Sequence, residues 1–335
     1  MSSAVARHTI SRMQYRTFGR TEWKGSEIGY GMWGMGGWSG SDDTESARAL
    51  DRAVELGCTF FDTAAAYGDG HSERLLGDLL RRFRDVKLVV ASKVAPKNRR
   101  WPGRATSAAD EVFPYGHVID STEATLRNLG VDTLDLQQLH VWDDAWTNAD
   151  GWCRAVRELK RAGKIHAFGI SVNRWEPTNV LRALGTGLVD AVQVVYNVFD
   201  QSPEDVLFPA CQRDGIAVIA RVPFDEGSLT GTLRADSRWP EGDWRNTYFA
   251  PAHLAETLPR VDAVRHDAEQ LGMSLPELAL RFILSNPAVT TTIPGMRRRE
   301  RVEANMAVSD KPQLTSDVVD RLRAHRWNRV PDDRP

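Results

Sequence analysis

Eight short apolar runs, each followed by a helical segment, constrain this chain more than any other feature. They are EIGYGMW (27–33), CTFFDTA (58–64), KLVVASKV (87–94), TLDLQQLH (133–140), IHAFGISV (165–172), DAVQVVYN (190–197), GIAVIARV (215–222) and AVTTTIPG (288–295). Each is continuous rather than alternating, as expected of strands buried on both faces. Between them the period changes to that of a helix. In TESARALDRAVELG, Ala47, Leu50, Ala53 and Val54 share one face, and Gly57 supplies a left-handed stop. In SERLLGDLLRRF, Leu75, Leu76, Leu79, Leu80 and Phe83 line another face behind Ser72, read as the cap. Ser274 and Glu277 open a late helix as a capping box, with Pro276 in its first turn. Strand–helix alternation repeated eight times predicts parallel strands joined by crossover helices. Eight such units close into a (β/α)8 barrel of the TIM type, an α/β fold in a single domain. An open doubly wound sheet is the weaker alternative.

At 335 residues the length alone would fit two domains, but barrels of this kind reach that size as one. No Pro/Gly/Ser linker divides the chain. The expected organisation is a flexible tail over 1–12, the barrel over 13–310, and a C-terminal helix and tail over 311–335. Two connections, 95–116 and 223–253, are longer than turns require and follow strand C-termini, where barrel enzymes place lids and binding loops. A net charge of −2 provides no basic field for nucleic acid or anionic membrane. No run approaches a membrane span, and the first dozen residues lack an apolar core of signal-peptide length, so a cytoplasmic location is expected. Cys58, Cys153 and Cys211 are odd in number and far apart, with neither disulfide nor metal spacing.

The reactive side chains fall at strand ends. Asp62 ends the second run, Lys93 lies near the end of the third, His140 ends the fourth, and Tyr67 follows Asp62 by five residues in AAAYGDGHSE. In a closed barrel these ends converge on one mouth. Hydride addition to a carbonyl leaves an alkoxide that needs a proton, and free tyrosine, with a pKa of about 10, is a poor partner at neutral pH. An adjacent ammonium is expected to lower that pKa, with the aspartate keeping the lysine charged. Histidine can donate a hydrogen bond to the carbonyl oxygen. Singly, each residue has a plainer role: a loop-capping aspartate, a solvated lysine, a satisfied core histidine, an ordinary tyrosine. Their joint placement favours proton transfer. A Schiff-base aldolase on Lys93 would need that amine neutral, which Asp62 opposes. A phosphate-sugar isomerase would want a glutamate base at a strand end, and no run ends in one.

These residues resemble the aldo-keto reductase superfamily, from about Tyr15 to Asn305. YRTFGRTEWKGSEIGYGMWGMGG is similar to the opening of its potassium-channel β-subunit-like branch. FFDTAAAYGDGHSERLLG, GIAVIARVPFDEGSLTG and TTTIPGMRRRERVEAN match further along in the family's order. The resemblance implies a catalytic tetrad of Asp62, Tyr67, Lys93 and His140 and reduction of a small aldehyde, ketone or sugar by NADPH. It implies cofactor contacts from Gly31, Met32, Trp33, Asp62, Ser171, Gln193 and Arg221, then from Pro223, Gly227, Leu229, Gly231 and Gly295. Arg297 and Arg301 would face the adenosine 2′-phosphate, with Asn305 beyond them on the same stretch. Trp33, Tyr67, His140 and Trp142 would shape the substrate pocket. Two positions depart from the family pattern. Arg221 stands where an aromatic ring normally stacks on nicotinamide, and a planar guanidinium can stack instead. Val172 follows Ser171 where asparagine is usual, with Asn173 one place later. An NADPH-binding regulatory or channel-associated subunit with slow turnover is the alternative function, and a homo-oligomer is compatible with either.

Overall fold

The computed structural model describes residues 12–37 and 41–329. An antiparallel hairpin opens it, β1 (Tyr15–Thr17) with β2 (Lys24–Ser26). Eight strands follow in one sheet: β3 (Tyr30–Gly31), β4 (Phe60–Asp62), β5 (Val89–Val94), β6 (Leu134–Leu139), β7 (Ile165–Ser171), β8 (Ala191–Val195), β9 (Ala217–Arg221) and β10 (Thr291–Thr292). Their order in the sheet is their order in the chain, and every neighbouring pair is parallel. Parallel bridges between Ile28 and Thr292 and between Gly31 and Gly295 join the first strand to the last, closing the (β/α)8 barrel. The seam is tight. A Cβ on Gly31 would lie 2.5 Å from the Ile293 carbonyl oxygen. Each apolar run supplies one strand, but those from EIGYGMW and AVTTTIPG are only two residues long, supplemented by the bridges at Ile28 and Gly295. Pro294, which has no N–H for a ladder, follows close behind β10.

The continuous apolar runs feed two layers. Phe60, Val89, Ala91, Leu136, Ala167, Ala191, Ala217, Ile219 and Ile293 form one buried cluster with Phe18. Phe61, Val90, Leu134, Leu139, Phe168, Ile170, Val192 and Val218 join the larger cluster with the surrounding helices. Four alanines in the first cluster leave room for aromatic rings. Phe18, from the hairpin turn, stacks 4.7 Å from Trp23 and 5.5 Å from Phe60. The hairpin is held on by Arg20, whose N–H donates to Gly215 O at 2.7 Å and whose Nε donates to Asp190 at 3.0 Å. Arg16 donates to the Leu284 and Val289 carbonyls at 2.6 and 2.8 Å. The strand pattern did not predict this hairpin plug.

The helices follow the expected stripes with one correction. Helix Asp43–Glu55 is capped by Asp42, whose side chain accepts from Glu45 N–H, and buries Ala49, Leu50, Ala53 and Val54. Gly57 takes the expected left-handed turn at φ 89°. Helix His71–Arg82 begins after Gly70, so Ser72 is not its cap. Ser72 is buried inside the first turn, where its Oγ accepts from Thr63 Oγ1 at 2.8 Å and donates to Met32 O at 3.3 Å. Ser274 caps the helix Leu275–Leu284 as expected, accepting from Glu277 N–H. At the C-terminal end, helix Ser316–Arg323 is followed by chain that stays packed: Trp327 N–H donates to Phe199 O at 2.9 Å, and the Arg329 side chain is 4% exposed. The expected N-terminal tail lies outside the described residues except for Arg12. No helix among the described residues is long and apolar enough to cross a membrane.

Candidate active site

The parallel register brings the strand ends together. Asp62 is the last residue of β4, Lys93 the penultimate residue of β5, and His140 follows β6, its N–H donating to Val94 O at 3.0 Å. Lys93 is fully buried, with Nζ 2.5 Å from Asp62 Oδ1, 2.8 Å from Thr63 O and 3.4 Å from the Tyr67 hydroxyl. The Tyr67 and His140 rings meet edge to face at 5.6 Å. Asp62 Oδ2 accepts from Gln138 Nε2 at 3.2 Å and Gln193 Nε2 at 2.8 Å. The four residues of the expected tetrad thus share one mouth.

Their electrostatics are partly unexpected. Burial pushes the Tyr67 hydroxyl above the ordinary tyrosine range, and the downward pull of Lys93 does not overcome it. The expectation that Lys93 brings Tyr67 below its usual pKa is corrected: in this site Tyr67 is a phenol at neutral pH. Burial would depress the Lys93 ammonium, but the Asp62 carboxylate and Tyr67 more than offset it, and the pKa rises. Burial, with the cations Lys93 and Arg221 nearby, holds His140 well below the ordinary histidine range, so its imidazole is neutral. Its Nδ1 has no hydrogen-bond partner.

A second network fixes the tyrosine loop. Glu73, fully buried two residues into helix His71–Arg82, accepts from Ser92 at 2.6 Å, Thr125 at 2.8 Å and Asn128 at 2.7 Å. Ser92 immediately precedes Lys93, so Glu73 ties the helix after Tyr67 to the strand that carries the lysine. Sequence reading missed Glu73, because a carboxylate near a helix start reads as solvated. It also missed Gln138, hidden inside an apolar run, and Trp101, in the 95–116 connection. The Trp101 ring meets His140 edge to face at 4.6 Å and is 43% exposed, which makes it a wall of the mouth.

Most of the expected cofactor residues lie at or just beyond strand C-termini. Ser171, the last residue of β7, pairs in register with Gln193, the middle residue of β8. Gly31, Met32 and Trp33 follow one another at β3. Met32 is buried, while Trp33 is 41% exposed and lies edge-on to Trp244 at 6.0 Å. Arg221, at the end of β9, donates from Nη2 to Val172 O at 3.0 Å, and its buried Nε has no partner. Pro223, Gly227, Leu229 and Gly231 sit in or beside a tight turn in which Val222, Asp225 and Glu226 hold positive φ (57°, 45° and 56°). The connection beyond them has a small core of its own, Leu233, Tyr248, Phe249 and Leu254 with Trp175, Trp239 and Trp244. Arg329 pins its start to Asp225, Asp200 and the Tyr248 hydroxyl. Gly295 bridges to Gly31. The Arg297 stem crosses Gly34, and Arg301 is exposed, without a hydrogen-bond or ion-pair partner among the described residues, on the same helix as buried Asn305.

One expectation about the pocket changes. Trp142 does not line it: the ring is fully buried against Trp146 and Trp152, at 6.0 and 5.2 Å, because its indole N–H is satisfied by Asp144 at 3.1 Å. The Asn173 amide donates to Gly103 O and Trp142 O at 2.9 and 2.8 Å, so its NH2 braces the 95–116 connection.

The aldo/keto reductase family model matches residues 27–326, and the chain belongs to that family. An aldo-keto reductase of Bacillus subtilis, YhdN, is 30% identical over 301 residues, covering 87% of each chain. A probable voltage-gated potassium channel subunit beta of rice (Oryza sativa) is 29% identical over 330 residues, covering 93% of this chain and 96% of its own. Among solved structures, the holo form of the aldo-keto reductase AKR11C1 from Bacillus halodurans superposes with a TM-score of 0.75 at 25% identity, covering 96% of this chain and 99% of its own. Enzymes of the family are oxidoreductases that reduce small carbonyl compounds with nicotinamide cofactors.

Proposed function

We propose that this protein reduces an aldehyde or ketone to the alcohol with NADPH, and that Tyr67 delivers the proton. The observation that carries the reading is the meeting of the Tyr67 hydroxyl, the Lys93–Asp62 pair and the His140 ring at one mouth. A carbonyl oxygen docked between Tyr67 and His140 accepts from the neutral imidazole, which orients it. The bound nicotinamide supplies the hydride. As negative charge grows on the oxygen, Tyr67, still a phenol, donates its proton, and the phenolate left behind is stabilised by the ammonium 3.4 Å away. Asp62 keeps that ammonium charged and fixed. Tyr67 then regains a proton through the partly open mouth.

Buried polar atoms without partners suit this site for a cofactor amide and ribose: His140 Nδ1, Gln138 Oε1, Arg221 Nε and Asn173 Oδ1. Arg297 and Arg301 would hold the 2′-phosphate, since cations beside a helix N-terminus oppose its dipole unless an anion joins them. Tyr67→Phe tests the assignment. It should lower aldehyde reduction by about 10²–10⁴-fold with NADPH affinity nearly unchanged; retention of more than a tenth of the rate, with hydride transfer limiting, would show that another group donates. The likeness to the rice protein favours a second reading, a cofactor-binding regulatory subunit. Multiple turnovers with a simple aldehyde separate it from a working reductase.

A further inference from the structure

The 95–116 connection lines a half-open cavity of about 510 Å3 one indole away from His140. Trp101 is shared between the two: its edge meets the imidazole, and it also lines the cavity, with Trp146 on another wall. The remaining lining includes Arg99, Arg100 and Arg104 and no Asp or Glu. Arg104 is engaged by Glu176 at 2.6 Å. Arg99 and Arg100 are exposed and have neither a hydrogen-bond nor an ion-pair partner for their side chains among the described residues.

The wall is built rather than loose. Lys97 N–H donates to Val112 O at 2.9 Å, Trp146 Nε1 to Ser107 O at 2.9 Å, Ala105 N–H to Asp143 at 3.0 Å, and Asn173 to Gly103 O. Asn98 accepts from Arg100 N–H at 3.1 Å, which holds Arg99 at φ 56°, a conformation an arginine rarely takes. Two guanidinium groups on a fixed loop, over an aromatic wall and with no acid in the lining, are what an anionic group needs. We propose that this cavity receives the far end of the substrate, and that the preferred substrate is a carbonyl compound carrying an anionic group, carboxylate or phosphate, remote from the reacting carbon. The inference rests on the carbonyl-reductase reading of the mouth and gives its substrate class.

The test compares 4-carboxybenzaldehyde with its methyl ester, which matches it in shape but withdraws electrons more strongly than the ionised carboxylate, so the ester is the intrinsically more reactive aldehyde and a lead of the acid reports recognition. An exposed guanidinium–carboxylate contact favours the charged partner modestly, so the acid should lead the ester by about three- to tenfold in kcat/KM at low salt, less at high salt. In Arg99→Gln/Arg100→Gln the acid-to-ester ratio should fall towards one. Both positions are exposed, so the variant's fold is unaffected, and circular dichroism checks this. Glyceraldehyde 3-phosphate against glyceraldehyde tells a phosphate preference from a carboxylate one. Ester turnover with a ratio of one or below in both pairs overturns the anion site and leaves the reductase reading standing. If neither aldehyde is reduced, calorimetry on NADP+-loaded protein decides. Arginine-dependent binding of the acid keeps the anion site while the reductase reading falls, and equal or absent binding of acid and ester overturns the site.

Discussion

Replacing Lys93 by methionine removes the cation from a buried pair and leaves the hydrocarbon stem nearly intact. At 2.5 Å and an effective dielectric near 20, the attraction between Lys93 and Asp62 is roughly 7 kcal/mol, part of which offsets the desolvation of both groups. Stranding one partner of such a pair typically costs about 3–5 kcal/mol. Here the Asp62 carboxylate keeps its bonds to Gln138 and Gln193, which places the loss near the lower end. Urea unfolding at pH 7 measures it through the midpoint and slope. Asp62→Asn/Lys93→Met, which carries no stranded charge, should recover much of the loss. A single variant that loses less than about 1 kcal/mol, with no recovery in the double variant, would mean the pair is not desolvated as described.

Reduction by the parent enzyme should show no ionisation limb in kcat/KM between about pH 7 and 10: Tyr67 is pushed above the ordinary tyrosine range and His140 below the ordinary histidine range. A limb near pH 8 would require a different proton donor. Arg297→Ala/Arg301→Ala should weaken NADPH binding about tenfold or more while sparing NADH, since a charge-assisted bond to phosphate is worth roughly 1.5–3 kcal/mol; fluorescence titration of both cofactors measures the selectivity. Arg221→Trp should keep cofactor binding and shift the NADP+ to NADPH dissociation-constant ratio towards NADP+, because a guanidinium against the ring repels the cationic oxidised form. Arg221→Ala should weaken both, and silence in both variants would place the side chain away from the nicotinamide.

The barrel was legible because strands buried on both faces leave continuous apolar runs, and Asp62, Lys93 and His140 stand out as polar residues near the ends of those runs. What could not be read depends on partners distant in sequence. Glu73 looks solvated until Ser92, Thr125 and Asn128 fold around it. Trp142 looks like a pocket residue until Trp146 and Trp152 enclose it. The Tyr67 pKa was misread because a lysine nearby is visible in sequence and the depth of the wall around the phenol is not. The hairpin plug escaped because Phe18 sits in a turn, where apolar residues carry no period.

The seam of the barrel also sets a schedule for synthesis. Ile28 pairs with Thr292, and Arg16 grips carbonyls at Leu284 and Val289, so the edge of β3 that faces away from β4 has no partner until the last strand is made. Translation proceeds at about 5–20 residues per second, so some 260 intervening residues take roughly 13–50 s. Throughout that interval β3 presents an unpaired backbone edge to water, the ribosome or another nascent chain. A chain halted before Thr291 would keep that edge permanently, together with the open side of β9. Termination just before β10 therefore leaves an adhesive sheet of seven strands, β3 to β9, rather than a smaller closed barrel, and the chain's last seventh decides whether its first tenth is safe.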